Sequence, residues 1–128
     1  RENAIRSQMM EGYLKKSLGN NARVYSCGLE PSGVDPQAIR AMAEDRVVIA
    51  GHTSDSLEDF QDFSFDIILT FEEELALAGK NLFGETPVHV MQVPVVDGFG
   101  GLERQEAIRE LRDLLRSNSA DFINQQLS

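Results

Sequence analysis

An arginine and a serine near the start of the chain stand where an oxyanion could bind. Residues 1–5 form a short segment that leads through Arg6 and Ser7 directly into a helical pattern. A helix start offers backbone N–H groups and the positive end of the helix dipole to an anion. A guanidinium can bind two oxygens of a tetrahedral oxyanion at once. Taken alone, however, an arginine at a helix start is more often simply solvated.

Other residue types capable of chemistry carry weaker signals. Asp97 precedes glycines in a loop, a position that favours a loop-capping aspartate over a general acid. Cys27 has only Arg23 as a basic neighbour in sequence, so a small buried side chain is expected there more than a nucleophile. His52 and His89 lack the spacing of metal ligands. No metal site and no cofactor are therefore expected.

Composition limits the classes of function. The chain has 128 residues, enough for one domain with a single core. With 12 Lys and Arg against 21 Asp and Glu, its net charge of -9 disfavours nucleic acid and anionic membranes as partners. No apolar run approaches the roughly 18 residues of a membrane span. The single cysteine excludes an intrachain disulfide, and a reduced, cytoplasmic setting is expected.

The elements that would position these residues alternate between helical and strand-like patterns, which predicts an α/β fold with a parallel sheet. Helices are expected at 7–18, 36–44 and 72–78, and Gly79 should end the last of these. A long final helix should present an apolar face that consists of Ile108, Leu111, Leu114 and Leu115 and continues through Phe122, Ile123 and Leu127. Strands or extended runs are expected at 23–26, 47–49, 65–71 and 88–93, and a short acidic turn at 53–59.

The first residues resemble the phosphate-binding loop of low-molecular-weight protein tyrosine phosphatases and the related thiol-dependent arsenate reductases. Asn3, Arg6 and Ser7 match the loop's asparagine, arginine and following serine, and Gln8 is similar to the arsenate reductase version. The family's cysteine would stand immediately before Arg1. The chain begins with Arg and not Met, and the central strand that precedes this loop in the family is absent, so we expect that about ten residues ending in this cysteine are missing.

Further motifs at 26–31, 34–39 and 52–54 extend this resemblance over essentially the whole chain, and Asp97 stands in the place of the family's mobile acid loop. The resemblance implies one phosphatase-like domain over residues 1–128. It also implies a three-layer, flavodoxin-like architecture whose four-stranded parallel sheet includes the strand that precedes Arg1.

The resemblance also implies a mechanism. The cysteine thiolate would attack phosphorus or arsenic, and the oxyanion would be held by the segment Glu2, Asn3, Ala4, Ile5, Arg6 and Ser7. Arg6 would orient and neutralise the oxyanion, Ser7 would lower the thiol pKa, and Asp97 would act as the general acid. Asn3 would brace the loop.

Two departures from the family pattern bear on the substrate. Where thioredoxin-coupled arsenate reductases carry additional cysteines, this chain has Phe71 followed by three glutamates, and Gly98 stands where a proline usually follows the acid. Three functions follow: arsenate reduction with an external thiol or redoxin, hydrolysis of phosphotyrosine or small phosphoesters, and non-catalytic oxyanion binding if no cysteine precedes Arg1. Gln8 favours the first, and the absence of resolving cysteines favours the second.

Overall fold

The computed structural model describes residues 2–19, 22–25, 27–28, 35–49, 55–56, 64–71, 73–93 and 100–127. Its helices are α1 (Glu2–Leu18), α2 (Pro36–Glu44), α3 (Glu73–Phe83) and α4 (Gly101–Phe122), and α4 continues into a π-helical turn at Ile123–Leu127. Its strands are β1 (Cys27–Gly28), β2 (Asp55–Ser56), β3 (Ile68–Thr70) and β4 (Val88–Val90). No helix within these described ranges is long and apolar enough to cross a bilayer.

The described strands form two parallel pairs, each joined through a helix. β1 pairs with β2, Cys27 lying opposite Asp55, and α2 connects them. β3 pairs with β4, Thr70 lying opposite Val90, and α3 connects them. Parallel strands need such crossover connections. The predicted α/β fold with parallel strands is therefore confirmed.

Helix α1 lies at the centre of the core. It packs against α4, β1 and α2. Its buried residues occur on every side of the helix and include Ile5, Arg6, Gln8, Met9, Met10, Glu11, Tyr13 and Leu14. A helix buried all round belongs to the interior of a fold. In α4, by contrast, one face is buried and includes Ile108, Leu111, Leu115 and Phe122.

The beginning of α1 corrects one expectation. The sequence interpretation placed a loop before Ser7, whereas the helix begins at Glu2. Ile5, Met9 and Tyr13 are buried and follow one another at intervals of four residues, so the helical periodicity starts earlier than predicted. No glycine or proline interrupts residues 2–11. The first four backbone N–H groups of this helix are therefore those from Glu2 onward.

The second helix confirms its prediction. It starts at Pro36, whose fixed backbone suits the first helical turn. Asp35 caps it, because its carboxylate accepts hydrogen bonds from the backbone N–H groups of Gln37 at 2.8 Å and Ala38 at 3.3 Å. This cap fixes the start of α2.

The end of the third helix was predicted wrongly. α3 continues past Gly79 to Phe83, and Gly84 follows with φ of +63°. A residue with positive φ ends a helix at least cost when it is glycine. Gly79 instead lies within the helix, where a Cβ would be 3.8 Å from a methyl group of Ile68.

The remaining differences concern short elements. The segment predicted as an acidic turn contains strand β2, which exists through its pairing with β1. Residues 47–49 have no regular structure, and neither have residues 23–25 of the strand expected at 23–26, whose last residue lies outside the described residues. Leu114, predicted on the buried face of α4, is 38% exposed. Phe122 is buried and Ile123 half-buried, as predicted.

Candidate functional site

Arg6 lies in the second turn of α1 and is almost entirely buried. Only 3% of the residue is exposed. Its guanidinium carbon lies 5.5 Å from the centre of the Phe71 ring. This is the range of a cation–π contact. The solvated arginine that position alone favoured is therefore wrong for this residue.

Phe71 comes directly after β3, at the carboxyl end of a parallel strand. The backbone N–H of Met91 donates to the carbonyl of Thr70 at 2.7 Å, so the register with β4 holds up to this point. Phe71 itself is 7% exposed. Ligands of open α/β sheets bind outside the carboxyl ends of the strands. Arg6 and Phe71 thus meet where such a fold places its ligand.

Two further polar residues of α1 adjoin Arg6 in sequence. Ser7 is half-buried. Gln8 is fully buried, and neither polar atom of its amide has a hydrogen-bond partner in the part of the chain that the structure describes. An amide buried without such a partner costs about 1–3 kcal/mol.

The other predicted site residues are placed as follows. Glu2, Asn3, Ala4 and Ile5 form the first turn of α1, so their backbone belongs to the helix start that the sequence interpretation placed near Ser7. Asp97 and His52 lie outside the described residues. Cys27 contributes its backbone to β1. His89 lies in β4, where its ring packs at 5.4 Å and a tilt of 60° against Phe122.

A second polar cluster, missed by sequence reasoning, joins the starts of α2 and α4. Arg104 contacts both carboxylate oxygens of Asp35, at 2.6 and 3.2 Å, and also donates to the side chain of Gln37. Gln37 in turn donates to the carbonyl of Gly101 at 3.4 Å. In the sequence, Asp35 before Pro36 indicates a helix cap. Nothing in the sequence indicates that Asp35 pairs with Arg104, which lies 69 residues further along the chain.

This cluster shifts the ionisation of its acid. Burial alone would raise the pKa of Asp35, but the hydrogen bonds from Arg104, Gln37 and Ala38 outweigh that effect and lower it. Asp35 is therefore held as a carboxylate and serves as a structural anchor.

A ladder of ion pairs runs along the seam between the end of α2 and α4. It consists of Arg109 to Glu44 at 2.8 Å, Arg112 to Glu44 at 2.7 Å and Arg116 to Asp45 at 3.0 Å. Hydrogen bonds from Arg109 and Arg112 lower the pKa of Glu44. These charges are neutralised within the chain itself.

Tyr13 ties α1 to the end of the same ladder. Its hydroxyl donates to Asp45 at 2.7 Å. Burial, followed by this hydrogen bond, raises the pKa of Tyr13. The hydrogen bond from Tyr13 is the first cause of the lowered pKa of Asp45.

No group of three or more His, Cys, Asp or Glu residues that could hold a metal ion occurs among the residues the structure describes. The polar residues that follow one another in this part of α1 are Arg6, Ser7 and Gln8, which carry a guanidinium, a hydroxyl and an amide. Such groups suit an anion, since they offer N–H and O–H donors.

Comparison with known sequences finds similarity to arsenate reductases. An arsenate reductase of Staphylococcus epidermidis is 46% identical over 68 residues, which cover 53% of this chain and 52% of that protein. An arsenate reductase of Brevibacillus brevis is 40% identical over 91 residues, covering 71% of this chain and 65% of that protein. In the staphylococcal matches the chain thus spans about half the length of the curated relatives.

Solved structures give the same fold. An arsenate reductase in the reduced state is 31% identical with a TM-score of 0.76, covering 98% of this chain and 92% of that one. An arsenate reductase in the phosphate binding state is 29% identical, with a TM-score of 0.73 and coverages of 96% and 91%. Vibrio vulnificus Wzb in complex with benzylphosphonate has a TM-score of 0.76 with coverages of 94% and 90%; at 21% identity this likeness concerns the fold alone.

The family profile covers nearly the whole chain. Residues 1–122 match the family described as low molecular weight phosphotyrosine protein phosphatase. The matched range includes Arg6, Phe71 and the helices that pack around α1. The chain belongs to the low molecular weight phosphotyrosine protein phosphatase family, and the arsenate reductases named above are similar to it.

Proposed function

We propose that this protein is an arsenate reductase-like enzyme, which reduces arsenate to arsenite through a cysteine immediately before Arg1 and an external thiol or redoxin. The observation that carries the proposal is the burial of Arg6 at the start of α1, beside the carboxyl end of β3. The relatives named arsenate reductase, at 40 to 46% identity, support arsenate as the oxyanion.

The proposed reaction balances with two thiols. The cysteine thiolate attacks arsenic, an As–S bond forms, and one oxygen of arsenate leaves as water after protonation. An external thiolate then attacks the cysteine sulfur, a disulfide forms, and arsenic leaves with the bonding pair as arsenite. Arsenic gains two electrons, and each sulfur loses one. A second external thiol reduces the disulfide and restores the cysteine.

The residues divide this work by their chemistry. The backbone N–H groups of α1 from Glu2 onward would face the oxyanion and stabilise its developing charge. Arg6 would neutralise and orient it. Ser7 would stabilise the thiolate, Asn3 would brace the segment, and Asp97 would supply the proton for the departing oxygen.

We propose the corresponding architecture for the whole domain. Residues 1–128 would form a single domain with three layers, in which a strand that ends in the cysteine joins the β1–β2 and β3–β4 pairs into one flavodoxin-like sheet. Both pairs are parallel, which supports this arrangement. The cytoplasm, where thiols stay reduced, would be the setting for this chemistry.

A phosphatase is the second candidate. The segment after β3, where Phe71 is followed by glutamates, holds no resolving cysteine. A phosphatase needs none, because water hydrolyses the phospho-cysteine. The substrate would then be phosphotyrosine or a small phosphoester.

The test compares two reactions in the complete gene product. Thiol-dependent arsenite formation and aryl phosphate hydrolysis are measured in the wild type, Asp97→Asn and Cys27→Ser. We expect arsenite formation that requires added thiol, survives Cys27→Ser and falls in Asp97→Asn.

The other outcomes are equally specific. Hydrolysis of aryl phosphate without arsenite formation would favour the phosphatase, and loss of arsenite formation in folded Cys27→Ser would make that cysteine part of the relay. Binding of phosphate with neither reaction would leave a non-catalytic oxyanion-binding protein.

A further inference from the structure

We infer that Phe71 is a positioning residue of the oxyanion site, and that its ring holds the guanidinium of Arg6 in place before the oxyanion arrives. The inference rests on the proposed function, since it takes Arg6 to be the residue that meets the oxyanion.

The two side chains lie within cation–π distance of each other, and both are buried. The guanidinium carbon lies 5.5 Å from the ring centre. Arg6 is 3% exposed and Phe71 is 7% exposed. Cation–π attraction acts within about 6 Å and is strongest where water is excluded. Burial of both side chains therefore leaves little water to weaken the attraction.

An aromatic ring and a carboxylate differ in how they use the hydrogen-bond donors of an arginine. A guanidinium has five N–H donors, and an aromatic ring has no carbonyl or carboxylate oxygen to accept from them. Arg104 shows the other arrangement, because Asp35 and Gln37 accept from its donors directly. A ring thus restricts the orientation of Arg6 without competing with an oxyanion for the same donors.

The backbone around Phe71 gives the ring a fixed support. Phe71 follows the last residue of β3, and the bond from Met91 to Thr70 holds that strand end against β4. Arg6, in turn, belongs to the part of α1, residues 5–14, that is buried on every side. The contact therefore joins α1 to the end of β3 and sets the guanidinium between two rigid elements.

Removal of the ring has a defined consequence. Without it, Arg6 gains rotamers that it must lose again when the oxyanion binds. We expect the Phe71→Leu variant, which keeps an apolar side chain, to bind inorganic phosphate about tenfold more weakly than the wild type. Phe71→Tyr keeps the π face and should bind within about twofold of the wild type.

The experiment measures the Kd of inorganic phosphate in the complete gene product by calorimetry or ³¹P NMR. Phe122→Leu is the matched control, since Phe122 is 4% exposed and packs against His89 instead of an arginine. A role in general packing would lower the folded fraction in both variants and leave the Kd of the folded molecules unchanged. A positioning role raises the Kd in Phe71→Leu alone.

A second readout does not depend on the leucine variant folding. The sequence contains no tryptophan, so Phe71→Trp introduces a single tryptophan at the contact, which can be excited apart from the two tyrosines. Phosphate should change its emission. Phe65→Trp is the control, because Phe65 packs with Phe83 at 5.4 Å and with Tyr25 at 6.0 Å, and its emission should stay constant.

Coupling to Arg6 completes the test. In an Arg6→Gln background, Phe71→Leu should change the phosphate Kd by less than about twofold, because the ring has no cation to hold. An unchanged Kd in Phe71→Leu, or an equal change in Phe122→Leu, would overturn this inference and leave the proposed function standing. A wild type that binds no phosphate and converts neither substrate would overturn both.

Discussion

Two arginines of this protein are held in opposite ways. Arg104, at the start of α4, is engaged by the carboxylate of Asp35 at 2.6 Å and by Gln37. Arg6, in α1, lies at 3% exposure against the neutral ring of Phe71. The first arrangement cancels charge and fastens two helices. The second sets a buried cation against a neutral ring.

The surroundings of Arg6 and Arg104 differ in how far they are buried. Residues 5–14 of α1 are buried on all sides, whereas the seam between α2 and α4 consists of side chains that remain partly in water. Buried packing responds to single methyl groups, but exposed ion pairs contribute little. Changes in α1 should therefore have large effects, and changes along the seam should have small ones.

The largest effect is expected for Arg6→Lys in the complete gene product. Lysine keeps the charge but loses the planar fork, so stabilisation of the oxyanion in the transition state should fail. We expect kcat/KM to fall about 100- to 1,000-fold, measured as arsenite formation or aryl phosphate hydrolysis.

Arg104→Lys is the matched control for that variant. It removes a planar fork from a structural pair, so stability should fall while kcat/KM of the folded enzyme stays within about twofold of the wild type. Equal losses of activity in the two variants would remove the distinction between the arginines.

The next largest effect is expected for Gly12→Ala, in α1. A Cβ at this position would lie 2.8 Å from Ile49 Cγ2 and 2.9 Å from Val47 Cγ1. Both neighbours are buried and β-branched, so their side chains have little freedom to move away. We expect a loss of about 1–3 kcal/mol in the free energy of unfolding, measured with urea.

Gly79→Ala provides the comparison within α3. Its Cβ would have room, at 3.8 Å from Ile68, and alanine favours a helix over glycine by about 1 kcal/mol. This variant should be as stable as the wild type or slightly more stable. Similar destabilisation in both would mean that close approach at Gly12 is not the cause.

The sequence predicted those parts of the molecule whose causes are local. Asp35 and Pro36 mark the start of α2 by their own chemistry, and the spacing of Ile108, Leu111 and Leu115 marks the buried face of α4. The resemblance singled out Arg6 and Ser7 as site residues, and their roles stay a prediction. The phosphate-loop motif singled out Arg6, but nothing in it indicated the ring that Arg6 contacts.

What the sequence missed depends on contacts between distant segments. β2 is a strand because β1 lies beside it, although Asp55 and Ser56 do not favour strands. The end of α3 was misplaced because two glycines were available, and only the fold decides which one takes the positive φ. The partner of Arg6, like that of Asp35, could not be read from spacing at all.

A smaller effect is expected for Asp35→Asn. This variant removes the ion pair with Arg104 but keeps the helix cap, so it measures the contribution of the ion pair alone. Asparagine caps helices about as well as aspartate, so the main loss is the pair with Arg104. The side chains of Arg104 and Asp35 are 21% and 23% exposed, and this exposure reduces the contribution of the pair to the free energy of unfolding to about 1–2 kcal/mol. Urea unfolding at neutral pH gives the value. Asp35→Ala, which also lacks the cap, should lose about 1 kcal/mol more.

The same pair predicts a pH dependence. The pKa of Asp35 is lower in the folded protein than its ordinary value of 3.8. Its contribution is therefore complete above about pH 4 and disappears as the pH falls through the lowered folded pKa. The acid limb of the stability curve should be flatter in Asp35→Asn than in the wild type. Parallel limbs would show that other carboxylates cause the acid unfolding.

The smallest effect is expected for Arg109→Gln, in the exposed ladder along α4. Arg109 contacts Glu44 at 2.8 Å and Glu106 at 2.9 Å, but Glu44 also binds Arg112. Its charge therefore stays compensated after the change, and water solvates the remaining groups. We expect no resolvable shift of the urea midpoint, and any small shift should vanish in high salt. A loss as large as that of Asp35→Asn would mean that the ladder acts as one coupled network and would end the contrast between the seam and α1.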